Sequence, residues 1–174
     1  MKAALSYRYP LAVRWIHWFS VALIAVAYFT GESAEEFNET GAGVNWHVLA
    51  GLGLLLMFVP RLLARLWVRK PPETRSSAAQ KLMMRTVHLA LLLFVVVQPV
   101  LGILMVWSEG DPLIVPLTTW QIPPLLAVGE GWEETLEGLH ETVGNVFYGV
   151  IGLHVLAALW HHFVRHDDIL RRML

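Results

Sequence analysis

The sequence predicts an all-α integral membrane protein, a bundle of four transmembrane helices with both termini on the cytoplasmic side. Composition is the first observation behind this prediction, since 56% of the 174 residues are hydrophobic and only 16% are charged. The second is that four apolar stretches each reach the length of about 20 residues that crosses a bilayer. The third is that every lysine and arginine falls on one side of those stretches.

The four predicted helices cover approximately residues 11–30, 46–67, 83–107 and 139–163, and we expect a single domain over residues 1–174. Lipid offers backbone amides no hydrogen-bond partners, so each stretch must be helical. The first stretch also has features of a cleavable signal peptide, which is the alternative interpretation. Arg14 and His17 interrupt the apolar core that such a peptide needs, so we expect a retained helix.

Charge predicts the orientation in the membrane. The 13 basic residues lie in the N-terminal arm, around the second connection and at the C-terminal end: Lys2, Arg8, Arg14, Arg61, Arg65, Arg69, Lys70, Arg75, Lys81, Arg85, Arg165, Arg171 and Arg172. The other two connections carry only acidic charges: Glu32, Glu35, Glu36, Glu39, Glu109, Asp111, Glu130, Glu133, Glu134, Glu137 and Glu141. By the positive-inside rule the basic side is cytoplasmic and the outer face is acidic. Lipids surround such a protein, and no nucleic-acid partner is expected.

Four histidines fall at two depths inside the predicted helices. His47 and His140 begin the second and fourth helices at the acidic side, whereas His154 lies 14 residues after His140 and so about 21 Å deeper. His17 lies 13 residues before the outer end of the first helix, about 20 Å from it. His47 and His140 therefore share the outer level, and His17 and His154 share the inner level.

This arrangement favours two stacked haem sites. Fourteen residues are four turns of a bundle repeat, so His140 and His154 project from one face of the last helix. We predict an outer haem iron held by His47 and His140 and an inner one held by His17 and His154. The chain contains no cysteine, which excludes covalent c-type haem and iron–sulfur clusters. A di-metal site without porphyrin is the alternative, but such sites use carboxylates, which the helix interiors lack.

Two glycines and one arginine have open interpretations beside these histidines. Gly51 and Gly144 follow His47 and His140 by four residues, which leaves a bare patch for a flat porphyrin. Close helix packing explains any single glycine equally well. Arg14 lies one turn before His17, where it either pairs with a haem propionate or anchors the helix at the headgroups.

His88 and His161 are the candidates for handling a proton-coupled substrate. Counting 1.5 Å per residue places both near the cytoplasmic interface, beyond the level of the inner pair. A histidine has a pKa suited to exchanging protons there.

The sequence resembles the bacterial cytochrome b561 family over nearly its whole length. The resemblance lies in five blocks: R-W-I-H-W at residues 14–18, W-H-V-L-A-G at 46–51, R-L-L-A-R at 61–65, L-H-E-T-V-G-N at 139–145 and I-G-L-H-V-L-A-A-L-W-H-H at 151–162. It implies two non-covalent haem b groups, with axial ligands at positions that match His17, His47, His140 and His154. It also implies a multi-pass protein of the bacterial inner membrane.

For function, the resemblance implies a superoxide oxidase-like activity, in which superoxide outside is oxidised and the electrons reach ubiquinone near the cytoplasmic side. Other members serve as haem-bearing membrane subunits of periplasmic redox enzymes, hydrogenases among them, and this is the alternative function. The acidic outer face departs from what an anionic substrate needs and favours a basic periplasmic redox protein as partner. A transporter would need broken helices near the midplane, which the sequence does not predict. Whether copies of the chain form a homo-oligomer stays open.

Overall fold

The computed structural model describes residues 7–32, 42–68, 77–125, 129, 131–167 and 169–174. Within these residues the architecture is four long helices, each with a window long and apolar enough to cross a membrane. They are α1 (Leu11–Glu32), α2 (Ala42–Trp67), α3 (Ala78–Ser108) and α4 (Glu133–Phe163). The predicted all-α class is confirmed, and the four long apolar helices are consistent with the predicted four-helix membrane bundle.

Three helices begin or end well beyond their predicted apolar stretches. Helix α3 begins at Ala78 because Ser77 and Gln80 form a capping box, in which each side chain accepts a hydrogen bond from the other's backbone N–H. Helix α4 begins at Glu133, and its first-turn carboxylates favour the positive end of the helix dipole. The apolar stretch thus marks the membrane-crossing part, while polar residues extend the helix on either side of it.

The helices pack in chain order, α1 on α2, α2 on α3 and α3 on α4. Helix α4 stands apart from the first two. Over the described residues, no Cα atom of α4 lies within 8 Å of a Cα atom of α1 or α2. Side chains alone therefore bridge the space between the α1–α2 pair and α4.

The most buried apolar cluster lies halfway between the two histidine levels. It consists of Leu54 on α2, Val95 on α3 and Phe147 on α4. Leu54 lies seven residues after His47, and Phe147 lies seven residues from both His140 and His154, which is about 10 Å along the helix. This cluster separates an outer group of histidines from an inner one.

The connection between α3 and α4 contains a small hairpin that the sequence did not predict. Strand β1 (Leu113–Ile114) pairs antiparallel with strand β2 (Gln121–Ile122). Leu117 adopts a positive φ of 65° in the turn between them. Two-residue strands are too short to show an alternating pattern, so the sequence carries no periodic signal for them.

The two ends of the chain meet at one end of the bundle. The Tyr9 N–H donates to the Arg172 carbonyl oxygen at 3.0 Å, and the Trp18 Nε1–H donates to the Met173 carbonyl oxygen at 2.8 Å. Burial raises the pKa of the Tyr9 phenol; the nearby Tyr7 raises it further and Arg172 opposes the rise. Both ends thus share one side of the membrane, and its assignment as cytoplasmic stays a prediction.

Several charged residues used for that orientation lie outside the described residues. They are Lys2, Glu35, Glu36, Glu39, Arg69, Lys70, Arg75 and Glu130.

Candidate functional site

The structure brings His47 and His140 together across the space between α2 and α4. Their ring centroids lie 6.0 Å apart, and the ring planes meet at 70°. An iron bound to one nitrogen of each imidazole, at the bond length of about 2 Å usual for metal–imidazole pairs, separates the two ring centroids by about 6 Å. The observed spacing is therefore close to that of a bis-imidazole site.

The hydrogen bond of His47 fixes which of its nitrogens is available. Nδ1 lies 2.9 Å from the carbonyl oxygen of Ala27 on α1. Because a carbonyl oxygen can only accept, Nδ1 must carry the hydrogen, and Nε2 keeps its lone pair. Metal-binding histidines commonly have this arrangement, with the second ring nitrogen donating to the protein.

Two glycines that sequence reasoning did not select lie against these rings. A Cβ atom at Gly31 would come within 3.1 Å of His47 Nδ1, and one at Gly102 within 3.2 Å of His140 Cε1. Both distances are shorter than ordinary van der Waals contact. The backbones of α1 and α3 therefore approach the imidazoles closely only because no side chain intervenes.

The two glycines predicted beside the histidines differ from each other. At Gly51 a Cβ atom would meet nothing within 4 Å, so the polypeptide leaves this patch beside His47 open. At Gly144 the amide nitrogen of Gln98 would lie 3.0 Å from a Cβ atom. Gly144 thus gives α3 room to pack against α4, the alternative that the sequence left open for it.

Gln98 is a further polar residue at the outer level. Its Nε2 donates to the carbonyl oxygen of His140 at 2.8 Å, which ties α3 to the turn of α4 that carries His140. Its Oε1 and the Nδ1 of His140 are buried and have no hydrogen-bond partner among the described residues. A glutamine in the middle of the most apolar helix was the available sequence signal, because a polar group in a membrane interior needs a partner there.

At the inner level the structure gathers three histidines. The ring centroids of His88 and His154 lie 5.4 Å apart, and His17 lies within electrostatic range of both. The expectation that His88 lies beyond the inner pair is wrong, because His88 shares the level of His154. Counting residues along a helix assumes that all four helices start at one height and run upright, and the contact between His88 and His154 does not follow from that assumption.

The observed arrangement suits a haem better than a bare metal ion. In the described part of the chain, no group of three or more histidine, aspartate and glutamate side chains is placed to hold a metal ion. The outer level instead offers two facing imidazoles, an open patch at Gly51 and helices held apart on either side. A flat macrocycle with two axial nitrogens matches this set of groups.

Arg61 is an inner-level residue that the sequence analysis assigned only to the cytoplasmic charges. Its Nε donates to Ser20 Oγ at 2.9 Å, and its Nη2 lies 3.4 Å from the carbonyl oxygen of His17. The sequence signal for this position was the spacing. Arg61 follows His47 by the same 14 residues that separate His154 from His140, which places it one level deeper than His47.

Arg14 contacts the end of the chain. Its Nη1 donates to the carbonyl oxygen of Leu174, while its Nε is buried without a partner among the described residues. An apolar cavity of about 330 Å³ adjoins it, lined by Leu11, Arg14, Trp15, Trp18, Met173 and Leu174. A propionate partner for Arg14 stays a prediction.

His161, in the last turn of α4, forms a pair with Asp167, which lies just beyond the end of the helix. Its Nδ1 lies 2.5 Å from Asp167 Oδ2, and the Ile169 N–H donates to Asp167 Oδ1 at 3.3 Å. Arg165 Nε lies 3.9 Å from the same carboxylate. These side chains are partly exposed, so water reaches the pair at this end of the bundle.

Comparison with known proteins gives a consistent family. The family model described as prokaryotic cytochrome b561 matches residues 8–174. The probable superoxide oxidase CybB of Yersinia pestis is 27% identical over 164 residues, 91% of each chain. The cytochrome b561 homolog 1 of Escherichia coli K12 is 24% identical over 170 residues, 92% of this chain and 93% of that one. The homolog 2 of the same organism is 30% identical over 129 residues, 74% of this chain and 68% of that one.

Proposed function

The chain belongs to the prokaryotic cytochrome b561 family, which implies a b-type haem, and from this premise we propose a di-haem electron carrier of the bacterial inner membrane. It passes electrons between superoxide or a redox partner on the outer side and ubiquinone on the cytoplasmic side. The proposed ligands are His47 and His140 for the outer iron and His17 and His154 for the inner iron.

The observation that carries this proposal is the spacing of His47 and His140. Two imidazoles 6.0 Å apart, one of them with Nδ1 bonded to a backbone carbonyl, suit a six-coordinate iron. His47 and His140 would hold the outer haem, which when bound would supply a one-electron redox couple. The protein contributes ligation, the separation between levels and a low-dielectric surrounding.

Helix α4 contributes a ligand to both proposed sites. His140 and His154 are about 21 Å apart along its axis, with Phe147 between them. The apolar cluster around Phe147 excludes water and ions from the space between the sites. Electrons then cross the midplane while protons do not follow them.

The His161–Asp167 pair supports a quinone site near the end of α4. Reduction of ubiquinone to ubiquinol takes up two electrons and two protons, so a proton donor must stand near the ring. The pair is partly exposed, and His161 lies seven residues, or two turns, beyond His154 on α4, where the pair can pass protons from water. We propose this pair as the proton donor, with His88 beside the inner site.

Superoxide is supported as a donor by the name of one relative, the probable superoxide oxidase of Yersinia pestis. The electrostatics of this chain favour a second candidate function, a haem-bearing anchor for a larger periplasmic redox enzyme such as a hydrogenase. The α3–α4 connection combines acidic charges with exposed apolar side chains, among them Leu117 at 81% and Trp120 at 74% exposure. An acidic surface with exposed apolar groups suits a basic protein partner better than an anion.

One pair of measurements tests the proposal. A reduced-minus-oxidised spectrum with haem quantified per polypeptide should give two six-coordinate b haems. Rapid mixing with superoxide and, separately, with ubiquinol should then reduce them. Colourless protein from cells with ample haem would overturn the proposal. Protein that ubiquinol reduces but superoxide does not would favour the anchoring function.

A further inference from the structure

Arg61 is a cation held inside the bundle at the inner level. Its guanidinium donates from Nε to the hydroxyl of Ser20 at 2.9 Å and reaches the His17 carbonyl oxygen from Nη2 at 3.4 Å. Ser20 is fully buried, and its own hydroxyl donates to the Ile16 carbonyl oxygen at 2.7 Å. The charge is therefore fixed against the turn of α1 that carries His17.

The charge of Arg61 has no carboxylate partner among the described residues, where its hydrogen bonds go to Ser20 and His17. A cation at membrane depth is costly, and such residues are usually kept for function. Its electrostatic interactions reach both His17 and His154, and Arg65, one turn further along α2, interacts with His88. The inner level is therefore positive.

The outer level lacks such a charge. The groups that act on His140 are His47 and the backbone of Gln98, with no lysine or arginine among them. The partner of His47 Nδ1 is a neutral carbonyl oxygen. Glu141 follows His140 directly, and Glu137 lies one turn before Glu141. The potential thus becomes more positive from the outer level to the inner one.

We propose that Arg61 is the fixed positive charge that raises the electron affinity of the inner haem above that of the outer haem. This inference rests on the proposed function and adds a direction to it. A nearby cation stabilises the reduced form of a redox group, since reduction removes one positive charge from it. One electron then leaves the outer site and comes to rest at the inner site, with no bond made or broken.

The expected size follows from Coulomb's law. At an effective dielectric constant of about 20, a unit charge within roughly 10 Å of one haem changes the equilibrium constant for electron transfer between the two haems by about tenfold. For a one-electron couple a tenfold change equals about 59 mV. Arg61 needs no movement to exert this effect, because Ser20 and His17 hold it in place.

The test is a potentiometric titration of both haems in the intact protein. Arg61→Gln should lower the affinity of the inner haem for its electron by about tenfold and leave the outer haem within a factor of two. Arg61→Lys, which keeps the charge, should stay within threefold of the wild type. Arg8→Gln removes the same charge from an exposed site outside the helices and should change neither haem.

Inner-haem titrations that coincide in wild type and Arg61→Gln would overturn this inference and leave the di-haem function standing. Wild-type protein without haem would overturn the proposed function instead. If Arg61→Gln fails to hold the inner haem, Ser20→Ala becomes the deciding variant, because it removes one of the two contacts that hold the guanidinium and keeps its charge. It should then lower the inner electron affinity by about threefold, and an unchanged value would overturn the inference.

Discussion

Gly31 lies directly against the imidazole of His47, so close that a Cβ atom there would come within 3.1 Å of Nδ1. That same Nδ1 donates to the carbonyl oxygen of Ala27, one turn earlier on α1. The orientation of His47 is therefore set by α1, although His47 itself belongs to α2.

Replacing Gly31 by alanine should weaken the outer haem site. The added methyl group displaces the imidazole from Ala27, and loss of such supporting bonds costs a metal ligand about 10- to 100-fold in affinity. The measurement is the rate of haem transfer from the purified protein to an excess of a haem-binding acceptor. Gly152→Ala is the matched control, because a Cβ atom there meets nothing within 4 Å. Equal transfer rates for the two variants would show that Gly31 does not position His47.

Gly51 allows a test that separates the polypeptide from the haem. A Cβ atom at Gly51 meets nothing within 4 Å of protein, so Gly51→Ala should leave the helices undisturbed. If a porphyrin occupies that space, the extra methyl overpacks it, at a cost of about 1–3 kcal/mol, or roughly tenfold in haem affinity. We expect reduced outer-haem occupancy when the variant is titrated with haem.

The control for Gly51 lies on α4. Gly149 also has open space around it, and it follows His140 by nine residues, which places it on the opposite face of the helix. Gly149→Ala should bind haem like the wild type. If Gly51→Ala also binds haem normally, the porphyrin does not occupy the space beside Gly51.

Substitution of a ligand should separate the two sites. His140→Ala removes the α4 ligand of the outer iron, so haem per polypeptide should fall from two to one, as measured by a pyridine haemochrome assay. His154 remains on the same helix, so the inner haem should persist, though with weaker binding if the loss loosens α4. His161→Ala is the comparison, since it alters a histidine of α4 outside both sites and should keep two haems. Two haems in His140→Ala would exclude this residue as a ligand.

Spacing within one helix was the part of the site that the sequence predicted well. A rise of 1.5 Å per residue is rigid, so the intervals between His140, Phe147 and His154 follow from the sequence alone. The meeting of His47 with His140 also followed, because both residues lie near the same end of their helices.

Relations between helices were predicted less well, because packing sets them. His88 lies at the level of His154 owing to the length and placement of α3, which apolar counting does not give. Arg61 was counted among cytoplasmic charges, since a charge sum does not show which arginine folds back onto Ser20. The contact of Gln98 with the outer level is a hydrogen bond to the backbone carbonyl of His140, which lies 42 residues away in the sequence, so no local pattern predicts it.

Replacing Asp167 should slow the delivery of protons to the quinone and leave the rate of electron transfer to the haems unchanged. Asp167→Asn removes the carboxylate 2.5 Å from His161 Nδ1, so the imidazole loses its charged hydrogen-bond partner. Quinol formation should slow by about tenfold, whereas haem reduction by an outer donor keeps its rate. Stopped-flow spectra at the haem and quinone wavelengths measure both rates in one experiment. Asp111→Asn, at the other end of the bundle, serves as the control. Slowing of haem reduction in Asp167→Asn would instead indicate a disturbed fold.

Ionic strength should distinguish the two outer donors, because the outer end of the bundle carries acidic charges and no lysine or arginine. Superoxide is an anion, so raising the ionic strength from about 0.01 M to about 0.15 M, which shortens the Debye length from roughly 30 Å to 8 Å, should speed its reaction. A basic redox protein should react more slowly over the same range, because screening removes its attraction. Ubiquinol is uncharged and gives the reference rate.

Glu137→Gln combined with Glu141→Gln should raise the superoxide rate at low salt and lower that of the basic donor. A superoxide rate that falls with salt would mean that a positive region guides the anion, contrary to the charge distribution of this sequence.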